Sequence, residues 1–171
     1  MRMSRPGVEW RPMVAADMDH VERIATIVHP GFPEARAVLE EKFRLHPAGC
    51  FILQDAGGEA IGYLLSHPWE AASAPALDTL IGTLPEPEVY YVHDIALLPA
   101  ARGFRAGEAA MRLVEAHARA QGLPAIALVA VNNSGGFWER QGFVVSSDPK
   151  WAAKLASYGP DAVHMTKRLA S

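Results

Sequence analysis

The run Ala125–Val131, AIALVAV, constrains the fold more than any other part of the chain, because no polar residue interrupts it. A strand with one face in water alternates polar and apolar residues. A strand that does not alternate is covered on both faces, and in soluble proteins helices usually provide the cover. The neighbouring pattern agrees. VYYVHDIALL (Val89–Leu98) is a second strand of β-branched and aromatic residues, with polar His93 and Asp94 inside it. Between the two runs, a helix is predicted over about Arg105–Gln121. It carries Ala106, Ala110, Leu113, Val114 and His117 on one face, and Gly122 stops it. Strand, helix, strand is the unit of an α/β fold.

The first half is less regular. Val8–Val14 alternates like a short strand that Pro12 places at an edge. Asp17 is expected to cap a helix whose face is Met18, Val21, Ile24, Ala25 and Val28. His29–Pro33 breaks it, and Glu34–Leu45 reads as a second helix. Cys50–His67 reads as a hairpin turning at Gly57-Gly58. Pro68–Glu88 is a long surface excursion with one short helix expected around Ala76–Leu80, and such excursions are often functional. Asn132–Phe143 carries a short helix ending at Gly142, and Ala162–Leu169 is the last strand. No repeat or linker interrupts the 171 residues, so a single domain with an unstapled core is expected.

Charge and cysteine content narrow the function classes. A formal charge of −3 favours neither nucleic acid nor an anionic membrane. The single cysteine, Cys50, forms no internal disulfide and no cysteine-based zinc cluster; it reads as a small buried hydrophobe. The histidines show no paired metal spacing, so no metal is expected. No stretch reaches the ~18 apolar residues of a membrane span. Residues 1–12 lack an apolar signal core, so a cytoplasmic location is the default expectation.

Leu97–Met111, LLPAARGFRAGEAAM, needs a separate account, because a plain connection requires no arginines. A turn that leads from a strand into a helix N-terminus offers free N–H groups and the positive end of the helix dipole to a phosphate. The glycines allow close backbone approach. The Gly-Lys-Ser/Thr ending of a nucleotide P-loop is missing, and the dinucleotide fingerprint does not fit.

DIALLPAARGFRAG, followed about thirty residues later by NNSGGFWERQGF, resembles the two acetyl-coenzyme A motifs of the GCN5-related N-acetyltransferases (GNAT). The resemblance is strong over Val89–Phe143. It implies a mixed, mostly antiparallel α/β sheet with one splayed parallel strand pair and flanking helices. It implies acetyl-CoA as co-substrate, with the pyrophosphate on the amides of Arg102-Gly103-Phe104-Arg105-Ala106-Gly107. Arg105 departs from the motif, where a glycine is usual. Ile95, Ala96 and Leu97 would meet the cofactor, the amides of Ile95 and Leu97 bonding the thioester carbonyl and the pantetheine arm, where a backbone N–H acts as an oxyanion donor. Either Asn132 or Asn133 would meet the pantetheine, with Asn133 favoured. Trp138 stands where the family usually has its acidic tyrosine. Indole cannot serve, which leaves Tyr158, Ser134 or water to protonate the thiolate and makes Trp138 a wall for the cofactor.

Three residues complete the expected site. His93 suits proton transfer near neutrality and resembles in position a histidine of the aralkylamine N-acetyltransferases. By strand alternation it should share a face with Tyr91, Ile95 and Leu97, with Asp94 pointing the other way as a structural residue. Tyr91 and Glu34 are expected to meet the acceptor. The loops His29–Glu34 and Pro68–Glu88 are expected to line the acceptor site; they hold Glu34, Glu70, Asp78, Glu86 and Glu88 and no lysine or arginine, which favours a small cationic amine. The partner expected is therefore a small-molecule amine, with a homodimer left open. The alternatives are a non-catalytic coenzyme A sensor, a protein N-terminal or lysine acetyltransferase, and an unrelated nucleotide-binding module.

Overall fold

The computed structural model describes residues 3–5 and 7–170; of the segment read for a signal core, residues 1, 2 and 6 lie outside these. The strands are β1 (Met3–Arg5), β2 (Val8–Pro12), β3 (Cys50–Asp55), β4 (Ala60–Trp69), β5 (Val89–Leu97), β6 (Ala125–Ala130), β7 (Val144–Val145) and β8 (Val163–Arg168). The helices are α1 (Met18–Val28), α2 (Arg36–Leu45), α3 (Ala106–Ala120), α4 (Gly135–Arg140) and α5 (Trp151–Lys154). The strands form one sheet in the order β1-β2-β3-β4-β5-β6-β8-β7. Every neighbouring pair is antiparallel except β5 with β6.

The helices cover both faces, as the unbroken run of β6 requires. On one face Tyr90, Val92, Ile126 and Leu128 pack against Ala110, Leu113 and Val114 of α3. On the other, Ile52, Tyr63, Leu65 and Ala96 pack against Val21 and Ile24 of α1 and Leu39 of α2. Cys50 is fully buried in this second core. The β3–β4 turn forms as its sequence suggests. The Asp55 carboxylate accepts the amides of Gly57 and Glu59, both at 2.9 Å, and Gly58 takes φ +86°.

Three expectations need correction. Residues 76–80 form no helix. Asp78 takes φ +54° there, and the 70–88 excursion is irregular chain with turns, held by side chains from elsewhere. Asp17 stands just before α1 but makes no capping bond to it. Its carboxylate instead takes both guanidinium nitrogens of Arg11 at 2.8 Å and the Val14 amide at 2.8 Å. Pro12 is not on an edge strand, because β2 lies between β1 and β3. However, β1 covers only Val8–Trp10, so Pro12 sits beyond the paired stretch and its missing N–H costs no ladder bond. The sequence reading also missed β1, β7 and α5, each too short to carry a periodic signal.

Gly49 closes the tight turn between α2 and β3. A Cβ built there would lie 2.3 Å from the Ser66 carbonyl and 2.4 Å from the Tyr90 hydroxyl, while the Gly49 carbonyl accepts the Ser66 hydroxyl at 2.7 Å. Gly49→Ala should therefore cost about 1–3 kcal/mol, as overpacking does. Gly31→Ala, where a Cβ meets nothing within 4 Å, should be close to neutral. Urea denaturation of the two variants beside the wild type checks the contrast.

Candidate functional site

An irregularity in β5 creates the site. Leu65 pairs with Asp94 and Ser66 with Val92, so His93 is an extra residue with no partner on β4. Such a bulge resets the alternation of side chains and bends the strand. The β5–β6 ladder runs from Tyr90↔Ile126 to Val92↔Leu128 and stops there, although both strands continue. The two strands therefore diverge just beyond the bulge. The Leu98 amide bonds the Ile61 carbonyl at 2.9 Å, and the register then gives β4 the amides of Ala96 and Asp94. By alternation the amides of Ile95 and Leu97 point the other way, into the gap.

A cleft of about 390 Å³ fills this gap. One end is lined by Ile95 and Leu97 of β5, Val129 and Val131 at the end of β6, Gly107 at the start of α3, and Phe137 and Trp138 of α4. The other end is lined by Val28, His29, Phe32 and Glu34 after α1, Leu77 of the excursion, and Tyr158.

Two imidazole–carboxylate pairs meet at the bulge. His93 Nε2 is 3.4 Å from Glu34 Oε1, with side chains only 1 % and 8 % exposed. Glu34 Oε2 accepts the Asp78 amide at 3.1 Å, which ties the excursion to the histidine. Beside this pair, His29 Nε2 lies 2.9 Å from Asp94 Oδ1 and 3.3 Å from the Ile95 carbonyl, while Asp94 Oδ2 accepts the Tyr63 hydroxyl at 2.5 Å. Burial pushes the His29 pKa down, but the bond to Asp94 and its charge outweigh that and leave it above the ordinary value. Burial would raise Asp94, but His29 and the Tyr63 hydroxyl hold it below the usual carboxylate range.

The turn into α3 has the features of an anion cradle. Gly103 takes φ +85°, and Arg105, just before the helix, takes φ +54° and ψ 38° with no side-chain capping bond. Arg102 and Arg105 are exposed, and Phe104 is half-buried. Ala106 is buried, its carbonyl accepting the Trp10 indole N–H at 2.9 Å. Gly107 carries a packing constraint besides the ligand approach expected of it. Its φ is ordinary, and the absent Cβ leaves room for the Phe137 ring, which would lie 2.9 Å from it.

The sequence matches the description "Acetyltransferase (GNAT) family" over residues 17–143. The chain belongs to that family. No curated protein matches it. Solved structures share the GNAT fold at low identity. Ard1 from Thermoplasma volcanium is 16 % identical, with a TM-score of 0.73, covering 96 % of this chain and 99 % of that one. The GphF GNAT-like decarboxylase in complex with isobutyryl-CoA is 16 % identical, with a TM-score of 0.78, covering 94 % and 99 %. The N-acetylglutamate synthase from Neisseria gonorrhoeae, complexed with coenzyme A and N-acetyl-glutamate, is 18 % identical, with a TM-score of 0.71, covering 96 % of this chain and 35 % of that one.

Measured on this GNAT frame, the predicted residues divide. His93, Glu34, Ile95, Leu97, Gly107, Trp138 and Tyr158 all line the one cleft. Ala96 is buried on the α1–α2 face, so only its neighbours' backbone meets the gap. Tyr91 does not line the cleft. It is buried in a small core with Val89, Ala125 and Ala127, its hydroxyl directed at Tyr158, and is corrected from an acceptor contact to a supporting residue. Both asparagines after β6 are left-handed, at φ +54° and +58°. Asn132 lines the cleft, whereas Asn133 lines only an adjoining hollow. The face assignment around His93 is also corrected. The bulge sends Ile95 and Leu97 to the α3 face and turns His93 and Asp94 together toward α1 and α2. His29, Phe32 and Leu77 fall in the two loops expected to line the acceptor site and also line the cleft, although the sequence singled out none of the three. Among the described residues no group of three or more His, Cys, Asp or Glu side chains could hold a metal ion, and no helix is long and apolar enough to cross a membrane.

Behind the site, His67 is fully buried, its ring 5.7 Å from that of His93 and its Nδ1 donating to the Pro68 carbonyl at 2.9 Å. Burial, reinforced by His93, lowers its pKa to about 3. The folded state thus refuses a proton that the unfolded chain accepts below about pH 6.5. Stability is untouched above that pH and falls as pH drops from about 6.5 toward about 3. His67→Asn keeps a donor for Pro68 but cannot titrate. Its stability should vary less between pH 6.5 and 4 than the wild type's, by up to about 1.4 kcal/mol per pH unit. Parallel urea midpoints for the two proteins across that range would contradict the assignment.

Proposed function

We propose that this GNAT protein transfers the acetyl group of acetyl-CoA to a small primary amine by direct attack in a ternary complex. The observation that carries the reading is the bulge at His93. It turns the amides of Ile95 and Leu97 away from any partner strand and brings an imidazole–carboxylate pair beside them.

The residues then take the following roles. The turn Arg102–Gly107 and the first amides of α3 hold the pyrophosphate, with Arg102 and Arg105 adding charge-assisted contacts. The pantetheine arm lies in the gap against Ile95 and Leu97, walled by Trp138 and Phe137, with Asn132 at its edge and Asn133 next to it. The Ile95 amide polarises the thioester carbonyl and receives the developing oxyanion.

An alkylammonium is not a nucleophile at neutral pH, so a proton must leave before attack. His93 takes it on Nδ1, the ring nitrogen with no protein partner, while Nε2–H donates to Glu34, which holds the ring and stabilises the imidazolium. The free amine attacks the carbonyl carbon, the tetrahedral adduct collapses, and the C–S bond breaks. Tyr158 supplies the proton for the departing thiolate. Burial, with the nearby Glu34 charge, raises its pKa, so the hydroxyl is protonated at neutral pH and must exchange its bond to the Pro75 carbonyl for one to sulfur. A protein N-terminal acceptor is the second reading; the half-buried wall of Phe32, Leu77 and Tyr158 favours the small amine.

His93→Ala should lower kcat by ~10²–10⁴, the range for a lost general base. The dissociation constant for coenzyme A, measured by calorimetry, should change by less than about threefold, since backbone grips the cofactor. Full kcat in the variant would remove His93 from the mechanism, and failure to bind coenzyme A in the wild type would overturn the proposal itself.

A further inference from the structure

The walls of the acceptor end specify more than an amine. We infer that the acceptor is a monoamine: one primary ammonium on a short apolar body, with no carboxylate and no second cation. The inference rests on the acetyl-transfer reading and deepens it.

Charge at this end of the cleft is limited to four side chains. His29 and His93 are already paired with carboxylates, and no lysine or arginine lines the cleft. The buried cation Lys42 feels the charge of Glu34 but does not line the cleft. Its ammonium donates to the Thr79 carbonyl at 3.0 Å and stands 3.6 Å from Glu41. A carboxylate on the acceptor would therefore meet Glu34 and Asp94 with no free cation to receive it, and like-charge contact in a desolvated site is strongly disfavoured.

A second ammonium fares little better. Asp94 holds His29 on one oxygen at 2.9 Å and the Tyr63 hydroxyl on the other at 2.5 Å. Glu34 also has one contact on each oxygen, but both are longer, at 3.4 and 3.1 Å, so it is the carboxylate that can better turn to an ammonium. One carboxylate fits one ammonium. The rest of this end is Val28, Phe32, Leu77 and the ring of Tyr158, which ask for an apolar partner.

Length is limited by the strap of residues 70–88, which is tied down from three elements. Tyr158 bonds the Pro75 carbonyl and Ser157 accepts the Leu77 amide, both from the segment before β8. The Ala35 amide bonds Asp78 and Glu34 takes the Asp78 amide, from the α1–α2 loop. Glu41 of α2 accepts the amides of Ile81 and Gly82 at 2.6 and 2.8 Å. These ties hold Leu77 against the acceptor end. The cleft, about 390 Å³ in all, must hold the end of the pantetheine as well as the acceptor.

The test compares four acceptors with acetyl-CoA and the full chain: 2-phenylethylamine, phenylalanine, spermidine and a short peptide with a free N-terminus. Free thiol release and mass of the acetylated product are both measured. The kcat/KM for 2-phenylethylamine should exceed that for phenylalanine, which differs only by a carboxylate, at least ~100-fold. It should also exceed spermidine and the peptide at least ~10-fold. Leu77→Ala should raise KM for 2-phenylethylamine ~10-fold while leaving kcat and coenzyme A affinity within about threefold. Transfer that favours spermidine, phenylalanine or the peptide would overturn this inference and leave acetyl transfer standing. If coenzyme A binds but no amine is acetylated, the acetyl-transfer reading fails. Calorimetry on the coenzyme A complex then decides the pocket: binding of 2-phenylethylamine without phenylalanine supports the pocket chemistry, and binding of neither overturns it.

Discussion

One unpaired residue in β5 controls the rest of the site. With His93 inserted opposite no partner on β4, the strand changes direction, and β6 cannot follow it past Leu128. Backbone amides that a continuous sheet would consume are turned toward a cleft. Unpaired amides inside a protein are costly, which is why sheets rarely leave them. Here the gap is walled largely by apolar side chains, and the amides stand ready for a ligand that can accept from them.

The same bulge places two polar side chains in succession on the α1–α2 face, where alternation would have put one. His93 and Asp94 would be expensive to bury alone, and each is matched. Glu34 arrives from the α1–α2 loop for His93, and His29 from the end of α1 for Asp94. The break after α1 is thus coupled to the bulge. The chain leaves its helix at the point that lets residues 29 and 34 reach the same strand. Glu34 passes the constraint on to Asp78, and Glu41 and Lys42 fix the next residues of the strap. An excursion without regular structure is in this way held as firmly as a helix, by side chains rather than by its own backbone.

The outline of the fold was legible because it rests on period. The unbroken β6, the apolar face of α3 and the hairpin at Gly57-Gly58 are local patterns, and each appears where its residues place it. Short elements such as β7 and α5 have too few residues for a period to show. The strand-to-helix turn at Arg102–Gly107 was legible because its signal is local, and the candidate site was obscure where the bulge intervened. Alternation through an intact strand puts His93 with Ile95 and opposes it to Asp94, and one inserted residue reverses both statements. Nothing local to VYYVHDIALL announces the insertion, because it depends on the register of β4. Tyr91 fell on the wrong side of the reading for a related reason. Being on the face of His93 does not reach the cleft when Val89, Ala125 and Ala127 close around it. Gly107 was read as a glycine that lets a ligand approach, and the packing adds a second reason that no local pattern shows, since Phe137 comes from thirty residues further on.

Arg105 shows how far local rules bend at such a site. A non-glycine residue in the left-handed region costs about 1–2 kcal/mol. A cation at a helix N-terminus also opposes the dipole there. Both terms count against arginine at this position, and no intramolecular gain offsets them. The side chain is exposed, it caps nothing, and it has no ion-pair partner among the described residues. Glycine would remove both costs while keeping the turn. An anion bound at the N-terminus of α3 would offset both terms. On the acetyl-transfer reading it is the cofactor's phosphate, drawn by the same exposed guanidinium that the free protein pays to hold in place.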